Sequence, residues 1–421
     1  MRRLSRRETI YIKCLLAAIL LFSLYLFVQR TIILNLGRTE NDFYVYYAAA
    51  HQYARGGEFY NPPPYPLTQQ NPLESVEIEG GDTAHKYRPY IYLPFLAWLL
   101  QPLTYLPYKW VEAGWTGLLF LAYWFAVCLF LWQFWRRNEL KIWEITAFTL
   151  IAAWWIPTFT AFLAGQITPI IFLLFVFHFW LAEEKQDTIS GFVLGLAILF
   201  KLSPIVFLIL WVLQRRWRIA VGAVMTLTIG IGVASVDKSI YFLTNIFPHL
   251  MLGENDVVNF SLTGFTHRWV FGQPWGWLSA EQVQQNWAYL LFMKLLMALL
   301  WGITLWGTWR KTDPQGKRLI FVSFLAAMVL FSPVTRHYDF IYVFLCVVYL
   351  YLDYKQSRNL VLGYVLGFCV ILNMVNIPIW FASWSAIPLL GEIVSKPASL
   401  AVLLLWIISL VERYRKRKNV K

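Results

Sequence analysis

Apolar runs long enough to cross a lipid bilayer recur along this 421-residue chain from one end to the other. A bilayer's hydrocarbon core takes about 20 apolar residues as a helix. Inside it every backbone N–H and C=O must be bonded within the chain, which a helix achieves. Hydrophobic residues make up 59% of the chain and charged residues 14%, against about 45–50% and about 25% in soluble domains. The expected fold is therefore all-α: a polytopic membrane protein with about twelve transmembrane helices, at residues 10–30, 111–135, 142–160, 168–182, 188–201, 204–213, 217–236, 286–309, 318–332, 338–354, 359–380 and 397–412.

The charge pattern orients these spans. Most of the Lys and Arg sit in short clusters between apolar runs, such as "RRLSRR", "WRRNELK", "QRRWR" and "YRKRKNVK". Cytoplasmic loops are enriched in such residues, so the pattern places both termini in the cytoplasm of a multi-pass cell-membrane protein. The net charge of +13 then reflects topology. There is no soluble basic domain to bind nucleic acid. The N-terminal run is longer than a signal peptide's and reads as an uncleaved first helix. Cys14, Cys128, Cys346 and Cys369 all fall within apolar runs, lack metal-ligand spacing and read as small buried residues.

Residues 1–421 read as one polytopic membrane domain. Within it, 1–236 form a core-like module with a long outer segment at 31–110, 237–285 form a second outer segment, and 286–421 supply the C-terminal transmembrane helices. Both outer segments are rich in Gly, Pro, Asn, Trp and Tyr, and long ordered loops of this kind usually carry function. Two stretches are open to two readings. Residues 89–106 read as a helix at or dipping into the outer face, or as a span; 188–213 read as two helices interrupted at "FKLSP", or as one.

Four outer-face stretches carry candidate chemistry. In "TENDFYVYYAAAHQYARGGEFY", Phe43, Tyr46, Tyr47, Ala50 and Ala54 follow helical spacing, which predicts a short helix lying on the outer leaflet. Asp42 stands at its start, either as an N-cap or as a carboxylate that takes a proton from an incoming hydroxyl. In "NFSLTGFTHRWV" the candidates are Asn259, Ser261 and Arg268; Arg either snorkels or binds phosphate through its forked donors. In "FSPVTRHYDF", Arg336 and His337 face the outer boundary, where a local Arg336–Asp339 pair is the plainer expectation. Lys201 in "LFKLSP" lies inside an apolar run, at a cost of roughly 2.5–3.5 kcal/mol on insertion scales, and such residues are functional by default. Gln166 in "AGQITP" opens a span from the same side. No P-loop or dinucleotide glycine motif is present, so a donor used at this face must be available there without a nucleotide. A lipid-linked phosphate ester meets that condition.

Taken in order, "DFYVYYAAA", "YRPYIYLPFLAWLLQPL", "AGQITPIIFLLF", "GLAILFKLSPIVFL", "NFSLTGFTHR" and "SPVTRHYDF" resemble glycosyltransferase family 87 over roughly residues 35–345. The members of that family are polyprenol-phosphate-mannose-dependent mannosyltransferases of the GT-C fold. The resemblance implies a GT-C-type helical bundle and a catalytic base at Asp42. It implies donor-phosphate contacts from Lys201, Arg268, Arg336 and His337, and substrate contacts from Tyr46, Gln166, Asn259 and Ser261. The family's Ser-Pro segment often carries a His-His pair, and this chain has Arg336-His337 there. The implied partners are a polyprenyl-phosphate sugar donor, a glycolipid or glycan acceptor and the bilayer, with no cofactor and no metal. The implied reaction is an inverting hexosyl transfer, with mannose as the sugar, at the outer face of the membrane. The rival from another class is a multi-pass transporter or lipid-sugar flippase, which an intramembrane Lys and a broken helix would also suit. A second enzyme rival uses a diphosphate-linked donor.

Overall fold

The computed structural model describes residues 21–29, 42–60, 90–254, 258–271, 280–306, 308, 314–374 and 396–419. Among the described residues the regular elements are helical and no β-strand forms. The helices used below are α1 (Asp42–Ala54), α2 (Pro94–Leu100), α3 (Tyr108–Arg136), α4 (Ile142–Ala153), α5 (Ile156–Leu163), α6 (Thr168–Glu183), α7 (Asp187–Phe200), α8 (Ile205–Leu213), α9 (Trp217–Ala234), α10 (Val236–Tyr241), α11 (Leu262–Phe271), α12 (Trp287–Leu305), α13 (Pro314–Leu330), α14 (Val343–Ser357), α15 (Leu360–Met374) and α16 (Pro397–Asn419).

Among the described residues four helices are long and apolar enough to cross a membrane, namely α3, α9, α12 and α16. A fifth is reached if α4 and α5, bent by 42° at their junction, count as one span. Pro157 in the first turn of α5 lacks the N–H that would continue the α4 ladder, which accounts for a bend there. Helices α6, α7 and α15 are apolar but shorter. Large side chains on α9 and α12, among them Ile229 (61% exposed) and Leu295 (62%), point outward, as side chains do that meet lipid.

The tightest helix contact is between α7 and α9. A Cβ placed on Gly191 would lie 2.3 Å from the Ile219 carbonyl oxygen, and one on Gly222 would lie 2.6 Å from that of Thr188. In lipid there is little hydrophobic drive between helices, and small residues that let backbones approach supply the packing instead.

Polar residues gather in two layers at opposite ends of these helices. At one end, Arg136 and Arg137 meet Glu183 and Glu184, Arg216 meets Asp187, Arg318 meets Glu139, Lys355 meets Glu144 and Lys416 meets Asp353. At the other end lie the start of α1, the α5–α6 turn, the α7–α8 break, α11 and the turn before α14. A helix the length of α6, 16 residues, separates the layers by about 24 Å.

Three expectations are refined. The stretch 188–213 is two helices, of 14 and 9 residues, broken at 201–204. Among the described residues of 89–106, from Tyr90 on, the regular structure is a seven-residue helix and a five-residue 3-10 turn, too short to cross. Helix α1 forms as expected but is not laid on a lipid surface: Phe43, Tyr46, Tyr47 and Ala50 are all buried within the protein. It packs against α2 and α3, with Phe43 stacked on Trp115 at 5.0 Å. Buried Cys346 and Cys369 meet expectation, whereas Cys128 is exposed on α3; Cys14 lies outside the described residues. The middle parts of both outer segments, at 61–89 and 272–279, also lie outside them.

Candidate active site

The motif "AGQ" is a helix stop with a purpose. Gly165 has φ +60, the left-handed conformation that favours glycine. The Gly165 N–H bonds the Phe162 carbonyl at 3.0 Å and the Gln166 N–H bonds that of Ala161 at 2.9 Å, which closes α5 with a Schellman motif. Trp115 Nε1 donates to the Gly165 carbonyl at 2.8 Å. The turn therefore projects the Gln166 side chain from a fixed point. The same turn holds the start of α1, because the Asp42 N–H donates to the Ala164 carbonyl at 2.7 Å.

Gln166 is almost fully buried, at 1% exposure. Its Nε2 donates to Asp42 Oδ2 and, at 3.0 Å, to the Tyr338 hydroxyl. Its Oε1 accepts from Tyr46 at 2.8 Å, and Tyr92 lies within 3.4 Å of the same oxygen. Burial, followed by the charges of its neighbours Tyr92 and Asp42, holds the Tyr46 phenol well above its usual pKa. Burial and the Asp42 charge do the same for Tyr92. Both therefore stay neutral O–H donors.

Tyr338 links this base-side group to the cations. Its ring centroid lies 5.5 Å from Lys201 Nζ. Lys201 is the extended residue that ends α7, and its ammonium forms an ion pair with Asp339. The other Asp339 oxygen accepts from the Arg336 N–H at 3.1 Å. The Arg336 guanidinium reaches Glu254 at 2.5 Å. Beside this local Arg336–Asp339 contact, the pairs Lys201–Asp339 and Arg336–Glu254 join three distant segments.

Asn259 is committed to the protein itself. Its Nδ2 donates to the carbonyls of Glu254 and Pro333, both at 3.0 Å. Its Oδ1 accepts from the N–H groups of Ser261 at 3.1 Å and Thr335 at 3.0 Å. Ser261 Oγ contacts the Pro333 carbonyl at 3.2 Å and caps α11 by accepting from the Gly264 N–H at 2.9 Å. Arg268, 5% exposed, donates to the Asn259 carbonyl at 2.9 Å. These residues clamp Glu254, the 258–261 segment and the 333–335 loop together, and that sets the position of Arg336. His337 rests on Phe260, ring centroids 5.2 Å apart, with Nδ1 at 3.4 Å from Thr160 Oγ1. Burial lowers its pKa to about 4.

The structure therefore brings Asp42, Tyr46, Gln166, Lys201, Arg336 and His337 into one contact network, backed by Asn259, Ser261 and Arg268. Asp42, Lys201, Arg336 and His337 are partly exposed, while Gln166, Tyr46, Asp339, Glu254 and Asn259 behind them are buried. Sequence reasoning omits Tyr92, Tyr338 and Glu254 and gives Asp339 only a local role. Tyr338 and Asp339 adjoin the Arg-His pair in "TRHYDF", and an acidic residue three positions after an outer-face Arg was the available signal. Glu254 carries no comparable signal. Among the described residues no group of three or more His, Cys, Asp or Glu is placed to hold a metal.

Membrane-length apolar helices with one cluster of carboxylates, cations and phenols at one end define a polytopic membrane protein with a polar site at that end. Within that class, the pattern of Glycosyltransferase family 87 matches residues 90–333, more than half of the chain, and the chain belongs to that family. Gln166, Lys201, Asn259, Ser261 and Arg268 fall inside the match; Asp42, Tyr46, Arg336 and His337 flank it. The chain is similar to the polyprenol-phosphate-mannose-dependent alpha-(1-2)-phosphatidylinositol pentamannoside mannosyltransferase of Mycobacterium tuberculosis (strain CDC 1551 / Oshkosh), 24% identical over 309 residues. The matched region takes in 70% of this chain and 66% of that relative, just under two thirds of the relative's length.

Proposed function

We propose that this protein transfers a hexose, with mannose as the sugar, from a polyprenyl-phosphate-linked donor to an acceptor hydroxyl at the outer face of the cell membrane. The family and the lipid-linked donor of the mycobacterial relative support the donor class. The outer-face placement is supported by the opposite polar layer, which carries most of the ion-paired arginines of the described residues and is the cytoplasmic one by the charge rule. In this topology the chain has about twelve spans and both termini in the cytoplasm.

The observation that carries the reading is the single network in which Asp42 and the Lys201–Arg336 cations share Tyr338 as a neighbour. The acceptor oxygen attacks the anomeric carbon from the side opposite the phosphate and its proton passes to Asp42. The bond from C1 to the phosphate oxygen breaks, and its electron pair leaves on polyprenyl phosphate. The displacement inverts the anomeric centre. Lys201 and Arg336 stabilise the phosphate dianion as it forms, with Arg268 and His337 shaping its seat. Asp339 and Glu254 hold the two cations in place until the phosphate arrives. The acceptor is a glycolipid or a glycan.

The test uses purified protein, a polyprenyl-phosphate-mannose and a membrane lipid extract. Asp42→Asn should lower the transfer rate by at least about 10²-fold, the lower bound for a positioned base. Transfer at the wild-type rate would remove Asp42 from the role. Lipid translocation in proteoliposomes without sugar transfer would favour a flippase.

A further inference from the structure

We infer that Gln166 is the positioning residue for the base, and that Tyr46 fixes which way its amide faces. This deepens the proposed function and rests on Asp42 being the base. Sequence resemblance places both residues against substrate; the geometry gives them different work.

A glutamine amide has two donor hydrogens on Nε2 and an acceptor at Oε1. One Nε2 hydrogen goes to Asp42 Oδ2 and the other to Tyr338 at 3.0 Å. The Tyr46 hydroxyl, 2.8 Å from Oε1, has one proton and gives it there. Turning the amide over would point Oε1 at the Asp42 carboxylate and would send the Tyr46 proton from Oε1 to the Tyr92 hydroxyl, 3.2 Å away. The first contact is repulsive and the second gives up the shorter bond, in a place where Gln166 and Tyr46 are 1% and 0% exposed. The orientation is thus dictated by its neighbours.

Tyr46 lies four residues after Asp42 on α1, so the two side chains share one helix face. Asp42, Gln166 and Tyr46 close a ring: the helix that carries the carboxylate also carries the hydroxyl that orients the amide holding it. The other anchor, the α5–α6 turn, is pinned by Gly165 and Trp115. Gln166 therefore fixes the direction of one Asp42 oxygen. It is a positioning residue, since it acts through Asp42.

The experiment measures rate against pH for wild type, Gln166→Glu, Tyr46→Phe and Asp42→Asn in the full-length protein, with donor KM and thermal midpoint recorded for each. In Gln166→Glu two carboxylates compete to ionise, so the acid limb of the rate profile should move up by at least about one pH unit. The maximal rate should fall roughly tenfold or more, with donor KM changed less than threefold. Tyr46→Phe keeps the ring and loses the orienting proton; its acid limb should move the same way by less. If Gln166→Glu does not fold, as its thermal midpoint would report, the Tyr46→Phe profile decides. An acid limb at the wild-type position in a folded variant, or a rise in donor KM at unchanged maximal rate, overturns the inference and returns Gln166 to a substrate contact. Wild-type activity in Asp42→Asn overturns the base assignment itself. Loss of activity in Asp42→Asn with an unshifted Gln166→Glu profile defeats only the positioning role.

Discussion

The Arg336 guanidinium reaches Glu254, at 2.5 Å, while Asp339, three residues along the same turn, pairs with Lys201. Each cation is thereby held by a carboxylate from a different part of the chain. The loop before α11, the turn before α14 and the break between α7 and α8 become one unit.

Removing one member of a largely buried pair strands the other. Glu254→Gln should lower stability by roughly 1–3 kcal/mol, below the 3–5 kcal/mol of a fully buried pair because the Arg336 side chain is 23% exposed. The thermal midpoint in detergent measures it. For the second pair, Lys201→Met and Asp339→Leu should each destabilise, and the double variant should recover part of the loss while remaining inactive.

Arg268 is expected to matter for the donor. Arg268→Ala should raise KM for the polyprenyl-phosphate sugar by roughly tenfold, about 1.4 kcal/mol, with the acceptor KM unchanged. Arg268→Lys should recover only part of it, since an ammonium cannot reproduce the guanidinium fork. Steady-state kinetics with each substrate varied in turn separates the two.

The α7–α9 contact predicts a sharp contrast between glycines. Gly191→Ala places a methyl 2.3 Å from a backbone oxygen that cannot move aside and should cost about 1–3 kcal/mol through overpacking. Gly232→Ala on α9 meets nothing within 4 Å and should be neutral or slightly stabilising. Thermal midpoints of the two variants, read side by side, test this.

His337 sets an acid limit. Although the residue is partly exposed, its ring lies against Phe260 and Phe340, and the desolvation this brings disfavours the imidazolium and lowers the pKa from 6.5 to about 4. Between those values the unfolded chain binds a proton that the folded one does not. Stability is therefore full above pH 6.5, declines as pH drops toward 4, and levels off below. His337→Gln should flatten that decline in a series of thermal midpoints across pH 4–7.

Sequence located the polar landmarks because hydrocarbon makes them conspicuous. A Lys in an apolar run, an Asp before an aromatic helix and a Gly-Gln stop between two spans stand out against Leu and Phe. The helical class followed from the length and apolarity of the runs. The partners did not follow. Lys201 and Asp339 are 138 residues apart and Tyr46 and Gln166 are 120 apart, and no local pattern encodes such pairings. For Asn259 and Ser261 the sequence leaves two uses open, contact with a ligand or with the protein's own backbone. Their bonds to Pro333 and Thr335 add a clamping role that no local pattern shows. Helix α1 misled in the same way: its apolar face is real, but α2 and α3 cover it where lipid was expected.

The separation of Lys201 from Asp339 also bears on how the protein is made. At about 5–20 residues per second, a ribosome that has delivered Lys201 needs roughly 7–28 s more to deliver its counter-ion. During that interval a lone ammonium follows an apolar segment into the membrane. The insertion machinery, water in its channel or the nearest lipid headgroups must shelter the charge until Asp339 emerges, so a chain truncated before that point would be retained or degraded.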